Sequence, residues 1–116
     1  MVIGMKSLNF KKKYKEMLKD GSKVATLRLG RKNYKENEMV KVIAGNEFVG
    51  VARIVKVRHI TWDELKKEDA MLEGLKSKKE LKKELKNIYG KFDGKEEFTQ
   101  IVFEFVGDKN GGNKKV

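Results

Sequence analysis

Between Asp20 and Lys32 the chain reads DGSKVATLRLGRK, and four of its residues could do chemistry together: Gly21, Lys23, Thr26 and Arg28. Two more basic residues, Arg31 and Lys32, follow a second glycine, Gly30. An ordinary half-buried strand has no need of that set. Alternation along a strand puts Thr26 and Arg28 on one face and Lys23 on the other. Lys23 joins them only at a junction just after Gly21, where the glycine supplies the unusual backbone angle such a turn often needs. An amine, a hydroxyl and a guanidinium converging on one pocket make a site for a polar or anionic ligand. Lysine beside threonine is also the minimal pairing for an activated hydroxyl nucleophile, since burial favours the neutral, basic form of an amine.

Other chemistry-bearing residues are sparse. His59, the single histidine, has no second histidine or acidic partner at metal-ligand spacing, so no metal site is expected and His59 reads as a strand-end residue. Trp62, the single tryptophan, reads as a core or staple residue rather than a base-stacking platform. The chain has no cysteine, which excludes thiolate metal sites, a catalytic thiol and disulfides. No phosphate-binding glycine loop, dinucleotide fingerprint or nucleophile elbow is present, and no cofactor is expected. Lys11, Lys12, Lys13 and Lys15 fall at the expected start of a helix, where cations oppose the macrodipole at about 0.3–1 kcal/mol each. They read either as a solvated basic face or as contacts to a phosphate backbone.

The elements that must position these residues follow from periodicity. A short strand, SLNF, precedes a helix capped by Asn9, with Phe10, Tyr14, Met17 and Leu18 as its apolar stripe and Asp20 and Gly21 at its end. KVATLRL reads as a strand. Residues 39–60 read as two strands around a turn at Gly45 and Asn46, with Val49, Val51, Val55 and Val57 on one face of the second. Thr61 caps a helix carrying Leu65, Ala70, Leu72 and Leu75. Ser77 and Glu80 form a capping box before a helix that buries Leu81, Leu85 and Ile88 and closes at Gly90. FTQIVFEFV, apolar on both faces, reads as a central strand. The order β, α, β, β, β, α, α, β suits an α+β fold with a small curled sheet or barrel. Residues 1–106 are expected to form one domain, and the polar, glycine-rich stretch 107–116 a disordered tail.

The net charge of +11 is unevenly placed, since residues 1–60 carry 15 Lys and Arg against 5 Asp and Glu. A one-sided positive field favours polyanionic partners, nucleic acid first. No membrane-spanning run or signal peptide is evident, so the chain reads as soluble and cytoplasmic without a membrane partner.

The segment GSKVATLRLGRK resembles the G-x-K-x-x-T-x-R signature of the ASCH domains, a family related to the PUA-like RNA-binding domains. The resemblance runs from Met5 to about Val106. It takes in the basic helix before the signature, the strand NEMVKVI, the helical insert ending ELKNIYG and the last aromatic strand. It implies a small PUA-like β-barrel with helices packed at its openings, the signature lining a cleft beside the barrel. One branch resembling this chain in length and layout hydrolyses the acetyl amide of N4-acetylcytidine, its signature lysine and threonine acting with a glutamate. Matching LKKEDAMLEGL to that stretch puts Glu73 in the glutamate's place.

Two functions follow from the resemblance and the charge. In the first, the cleft recognises RNA or a nucleotide or modified nucleoside. Gly21, Arg28, Arg31 and Lys32 contact the ligand, and Lys11, Lys12, Lys13 and Lys15 guide the polyanion. In the second, the cleft is an amidohydrolase site with Lys23 as base, Thr26 as nucleophile and Glu73 as orienting group or proton shuttle. The strong positive charge, Arg31 and Lys32 weigh toward a polynucleotide or phosphorylated ligand.

Overall fold

The computed structural model describes residues 4–107. The tail expected over 107–116 lies, past Gly107, outside the described residues. The chain runs through β1 (Lys6–Phe10), a 3-10 turn (Lys12–Tyr14), α1 (Lys15–Asp20), β2 (Ala25–Leu29), β3 (Met39–Ala44) and β4 (Glu47–Thr61). It continues through a second 3-10 turn (Trp62–Glu64), α2 (Lys67–Leu72), α3 (Lys78–Tyr89) and β5 (Glu97–Phe105).

The five strands form one curled sheet in the order β1-β3-β4-β5-β2, a half-barrel with helices beside it, as the PUA-like α+β fold requires. β1 pairs parallel with β3, and the other neighbours pair antiparallel. β5 is central, between β4 and β2, so its Phe98, Ile101 and Phe103 are buried. Burying each such side chain contributes about 1.5–3 kcal/mol. β1 and β2 are the two edges. Arg28 on β2 spans that open seam, donating from Nη2 to the Asn9 carbonyl of β1 at 3.0 Å.

Curvature comes from two extra residues in β4. Val42 pairs with Gly50 and Ile43 with Phe48, leaving Val49 over, while Ile54 pairs with Phe103 and Lys56 with Val102, leaving Val55 over. Each bulge bends the strand and shifts its alternation. This corrects the expected valine face: Val55 is exposed, and Ala52 and Ile54 point to the core instead.

Three helix expectations change. Asn9 does not cap a helix; it lies in β1 opposite Ile43 and donates to Ser7 Oγ at 3.2 Å. Lys11, Lys12 and Lys13 therefore precede the α-helix, in and before the 3-10 turn, and the first turn of α1 carries Glu16. Thr61 does cap, with Glu64 Oε1 accepting from its N–H and hydroxyl at 2.9 Å each, but only a single 3-10 turn follows. The N–H groups of Trp62 and Asp63 donate to Glu96 and Gly94 ahead of β5, and Leu65 turns extended into the core. The long helix expected from Thr61 is thus a turn followed by the six-residue α2. In α3, Ser77 Oγ accepts from the Glu80 N–H at 3.1 Å, and Leu81 and Leu85 are buried. Ile88 is exposed, because it faces a cavity mouth instead of the core.

Two apolar clusters result. One fills the curl of the sheet around Leu8, Leu18, Val42, Ile54 and Phe103. The other packs Leu27, Trp62, Leu81, Leu85 and Phe98 between the sheet and α3. Trp62 is core, edge-on to Phe92 at 5.4 Å.

Candidate functional site

Lys23 lies just before β2, at the junction where strand alternation has not yet set in. Gly21 ends α1 in the left-handed conformation, φ 84°. The Lys23 N–H then donates to the Met17 carbonyl at 3.1 Å and the Val24 N–H to the Leu72 carbonyl at 2.8 Å. The junction is thus clamped between the ends of α1 and α2. Glu73 follows α2 directly, and Gly74 after it, with φ 82°, has Met17 and the Ser22 carbonyl where a side chain would be. That close approach brings the Glu73 carboxylate to Lys23.

Lys23 Nζ donates to Glu73 Oε1 at 3.0 Å, with Lys23 only 4% and Glu73 only 6% exposed. Glu73 Oε2 is buried without a hydrogen-bond partner. Burial pushes the Glu73 carboxyl above the usual carboxylate range, opposed by the positive charges of Lys23 and Arg28. The Lys23 ammonium also lies over two rings, 4.6 Å from the centroid of Tyr14 and 5.6 Å from that of Phe10.

Thr26 is in the middle of β2, and its Oγ1 accepts from Arg28 Nε at 3.1 Å. Arg28 stacks its guanidinium 5.2 Å from the Phe10 centroid while reaching Asn9. The guanidinium therefore fixes the hydroxyl oxygen of Thr26 and leaves its proton free to be donated elsewhere.

Lys23, Thr26, Arg28 and Glu73 line one cavity of about 140 Å³, whose other walls include Phe10, Tyr14, Leu81 and Tyr89. An apolar protein cavity of about 150 Å³ accepts a benzene ring, so this one suits a single planar ring. The mouth is tied by a further pair: Tyr14 Oη donates to Glu84 Oε1, and Lys13 Nζ donates to Glu84 Oε2 at 3.2 Å. These hydrogen bonds, with the charge of Lys13, hold the Glu84 carboxyl below its ordinary range. Burial and then the Glu84 carboxylate raise the Tyr14 phenol well above its own.

Of the remaining candidates only Lys11 lines this cavity. Gly21 shapes the junction but is not in the wall. Arg31 is exposed and pairs with Glu97 at 3.2 Å, and Lys32 uses its backbone N–H on Thr99 Oγ1 at 2.8 Å. Of the N-terminal lysines, Lys11 borders the cavity, Lys13 holds Glu84, and Lys15 pairs with Glu47 at 2.6 Å. Lys12 is exposed beside the turn at Gly45. Sequence reasoning missed Tyr14 and Glu84 as site residues. Their signal was a polar end on an otherwise apolar stripe: Tyr14 beside Leu18, and Glu84 between Leu81 and Leu85. Among the described residues no group of three or more His, Cys, Asp or Glu could hold a metal ion.

A half-barrel open at one seam, with a buried ionic cleft beside it, defines a PUA-like α+β domain. The chain belongs to the ASCH domain family, whose model matches residues 2–107. Solved structures agree on the fold. An ASCH domain from Lactobacillus crispatus superposes with a TM-score of 0.71 at 13% identity, covering 85% of this chain and 80% of that one. A protein from Enterococcus faecalis superposes with a TM-score of 0.68 at 17% identity, covering 91% of this chain and 83% of that one. No curated protein sequence matches the chain. Family membership supports a general role in RNA binding or a related function. No helix among the described residues is long and apolar enough to cross a membrane.

Proposed function

We propose that the cavity takes one modified nucleobase and that the chain hydrolyses an acyl amide on it, N4-acetylcytidine being the substrate that the family resemblance implies. The observation that carries this reading is the buried Lys23–Glu73 pair in the wall of a ring-sized cavity that Thr26 also lines. A lysine kept only to contact phosphate would end in solvent; this one ends on a carboxylate. Perturbed, paired groups of that kind in a cleft are the mark of acid–base chemistry.

In this reading Glu73 takes a proton from Lys23 Nζ across their 3.0 Å hydrogen bond, in the direction in which burial moves its carboxyl, and the Lys23 amine is freed for the reaction. That amine takes the Thr26 hydroxyl proton as Oγ1 attacks the acyl carbon, with the Arg28 Nε–H stabilising the oxygen. Collapse of the tetrahedral intermediate breaks the carbon–nitrogen bond, and the Lys23 ammonium returns the proton to the departing amine. Water then cleaves the threonine ester, releasing acetate and restoring Thr26.

The test is acetate release from N4-acetylcytidine by purified protein. Thr26→Val keeps the shape and deletes the nucleophile, while Lys23→Met keeps the stem and deletes the base. Turnover by the wild type with loss of at least about 100-fold in each variant supports the reading, that being the low end for removal of a general base. Release that persists in Thr26→Val replaces the threonine with an activated water. No release at all leaves the second reading, a binding cleft for RNA or a nucleotide. Lys11 at the cavity rim and the exposed Lys12 favour that one.

A further inference from the structure

Exposure along the cavity wall sets its depth. The Lys23 and Glu73 side chains are only 5% and 7% exposed and Thr26 is buried with them, so the reacting groups form the floor. On α3, Leu81, Glu84, Leu85 and Ile88 recur at helical spacing, and all four line the cavity. Leu81 and Leu85 are buried, the Glu84 side chain is 22% exposed and Ile88 is exposed, so Glu84 and Ile88 stand towards the mouth.

Glu84 is held there as an acceptor. Tyr14 Oη donates to its Oε1, and Lys13 Nζ lies 3.0 Å from Oε1 and 3.2 Å from Oε2. The hydrogen bond from Tyr14 first, against the opposing effect of burial, and then Lys13 keep the carboxyl below its ordinary range. Near neutral pH it is therefore ionised and accepts only. A carboxylate has about four acceptor positions; Tyr14 uses one and Lys13 at most two, which leaves one for an incoming hydroxyl.

The orientation of a substrate follows from its own chemistry. In an N4-acylated cytosine the exocyclic nitrogen and N1, which carries the sugar, lie on opposite sides of the ring. With the acyl carbon at Thr26 on the floor, N1 and its substituent face the mouth. The 2′-hydroxyl, on the carbon next to the glycosidic bond, is then the first polar group of the sugar to meet the wall.

Building on the hydrolase reading of the floor, we propose that the mouth is a ribose subsite in which the Glu84 carboxylate accepts the 2′-hydroxyl, so that the substrate class is an acylated ribonucleoside in preference to its deoxy counterpart. Tyr14 and Lys13 aim the carboxylate, and Ile88 packs on the sugar carbons. A carboxylate is also the acceptor by which dinucleotide-binding folds hold a ribose 2′-hydroxyl. A tie that only fastened α3 to the 3-10 turn would leave the sugar unread.

The experiment measures kcat/KM for acetate release from N4-acetylcytidine and from N4-acetyl-2′-deoxycytidine, and takes their ratio within each protein so that any general loss of activity or fold cancels. Wild type should favour the ribonucleoside about 10-fold, the low end for a hydrogen bond to a charged group because water reaches the mouth. Glu84→Ala, which removes the acceptor, should bring the ratio near one, and Glu84→Gln, which keeps a neutral acceptor, should fall between. A wild-type ratio near one, or a preference that survives in Glu84→Ala, overturns the subsite while leaving the hydrolase reading in place. Dissociation constants for the same two nucleosides separate the converse case. With no acetate released, tighter binding of the ribonucleoside that Glu84→Ala abolishes keeps the subsite and removes the hydrolysis. Equal binding of the two, or no binding of either, overturns the subsite in that case.

Discussion

Lys23 Nζ and Glu73 Oε1, fifty residues apart in the chain, meet at 3.0 Å with both side chains buried, and the second oxygen of Glu73 has no partner. Breaking such a pair by removing one member costs about 3–5 kcal/mol, because it strands an uncompensated charge. Desolvation raises the Glu73 carboxyl in the folded protein, so folding favours its protonated form. Its contribution is fully present below the ordinary carboxyl value of 4.5 and is lost as pH rises through the raised folded value.

The pair therefore makes a pH-resolved prediction. Relative to Glu73→Gln, the wild type should lose melting temperature as pH rises from about 4.5, the starting point set by the unfolded carboxyl. Comparing the two proteins cancels the groups they share, including Glu47, Glu64 and Glu84, whose carboxyls are lowered and whose contributions run the other way. A constant difference in melting temperature across that range would show that burial leaves Glu73 ordinary.

Arg28 links the nucleophile candidate to the seam of the sheet, through Thr26 Oγ1 on one side and the Asn9 carbonyl on the other. Arg28→Ala removes both and should cost about 1.5–3 kcal/mol for each charge-assisted hydrogen bond, less whatever water restores at the half-exposed end. Arg28→Lys keeps the charge without the planar fork, so stability should recover in part while acetate release stays low. Recovery of both by lysine would reduce Arg28 to a charge.

Gly21 and Gly74 separate backbone strain from site geometry. Both have positive φ, 84° and 82° respectively, so alanine at either costs about 1 kcal/mol of stability. Open space surrounds Gly21, whereas a Cβ at Gly74 meets the Met17 methyl and lies 3.1 Å from the Ser22 carbonyl. Gly74→Ala turns the Met17 methyl aside and presses the Ser22 carbonyl, next to Lys23, by a few tenths of an ångström, so acetate release should fall. Gly21→Ala should melt earlier with its activity retained. Chemical denaturation and turnover measured on both variants check the pair.

Much of this arrangement was legible in residue types and spacing. The G-x-K-x-x-T-x-R pattern carried Lys23, Thr26 and Arg28, and Gly21 marked the junction that lets Lys23 escape strand alternation. Glu73 was reachable only through the family resemblance, since nothing local distinguishes it from Glu68 or Glu80; its burial is made by the docking of Gly74 on Met17 and Ser22. The β4 bulges at Val49 and Val55 were illegible because a run of valines satisfies either parity, and only the partner strand decides which residue is left over. Tyr14 and Glu84 were hidden for a related reason: they are seventy residues apart, and their hydrogen bond depends on how α3 lies against the 3-10 turn.

The basic half of the chain gives the last prediction, on salt. Each phosphate neutralised on a single strand contributes about 0.7 to the slope of log affinity against log salt, since bound counterions are released. Lys11 and Lys12 are exposed, and neither has an ion-pair partner within 4.0 Å among the described residues, whereas Lys13 is engaged by Glu84 and Lys15 by Glu47. Lys11→Glu and Lys12→Glu should therefore flatten the slope for single-stranded RNA by about 0.7 each where each lysine meets one phosphate. Lys13→Glu should flatten it less and loosen the Tyr14–Glu84 contact as well. Glu47→Gln should act in the opposite sense, because it releases Lys15 from its carboxylate partner, leaving both affinity and slope higher. Slopes indifferent to all four changes, measured by titration between about 50 and 200 mM salt, would make the basic face a solvated surface with no polyanion on it.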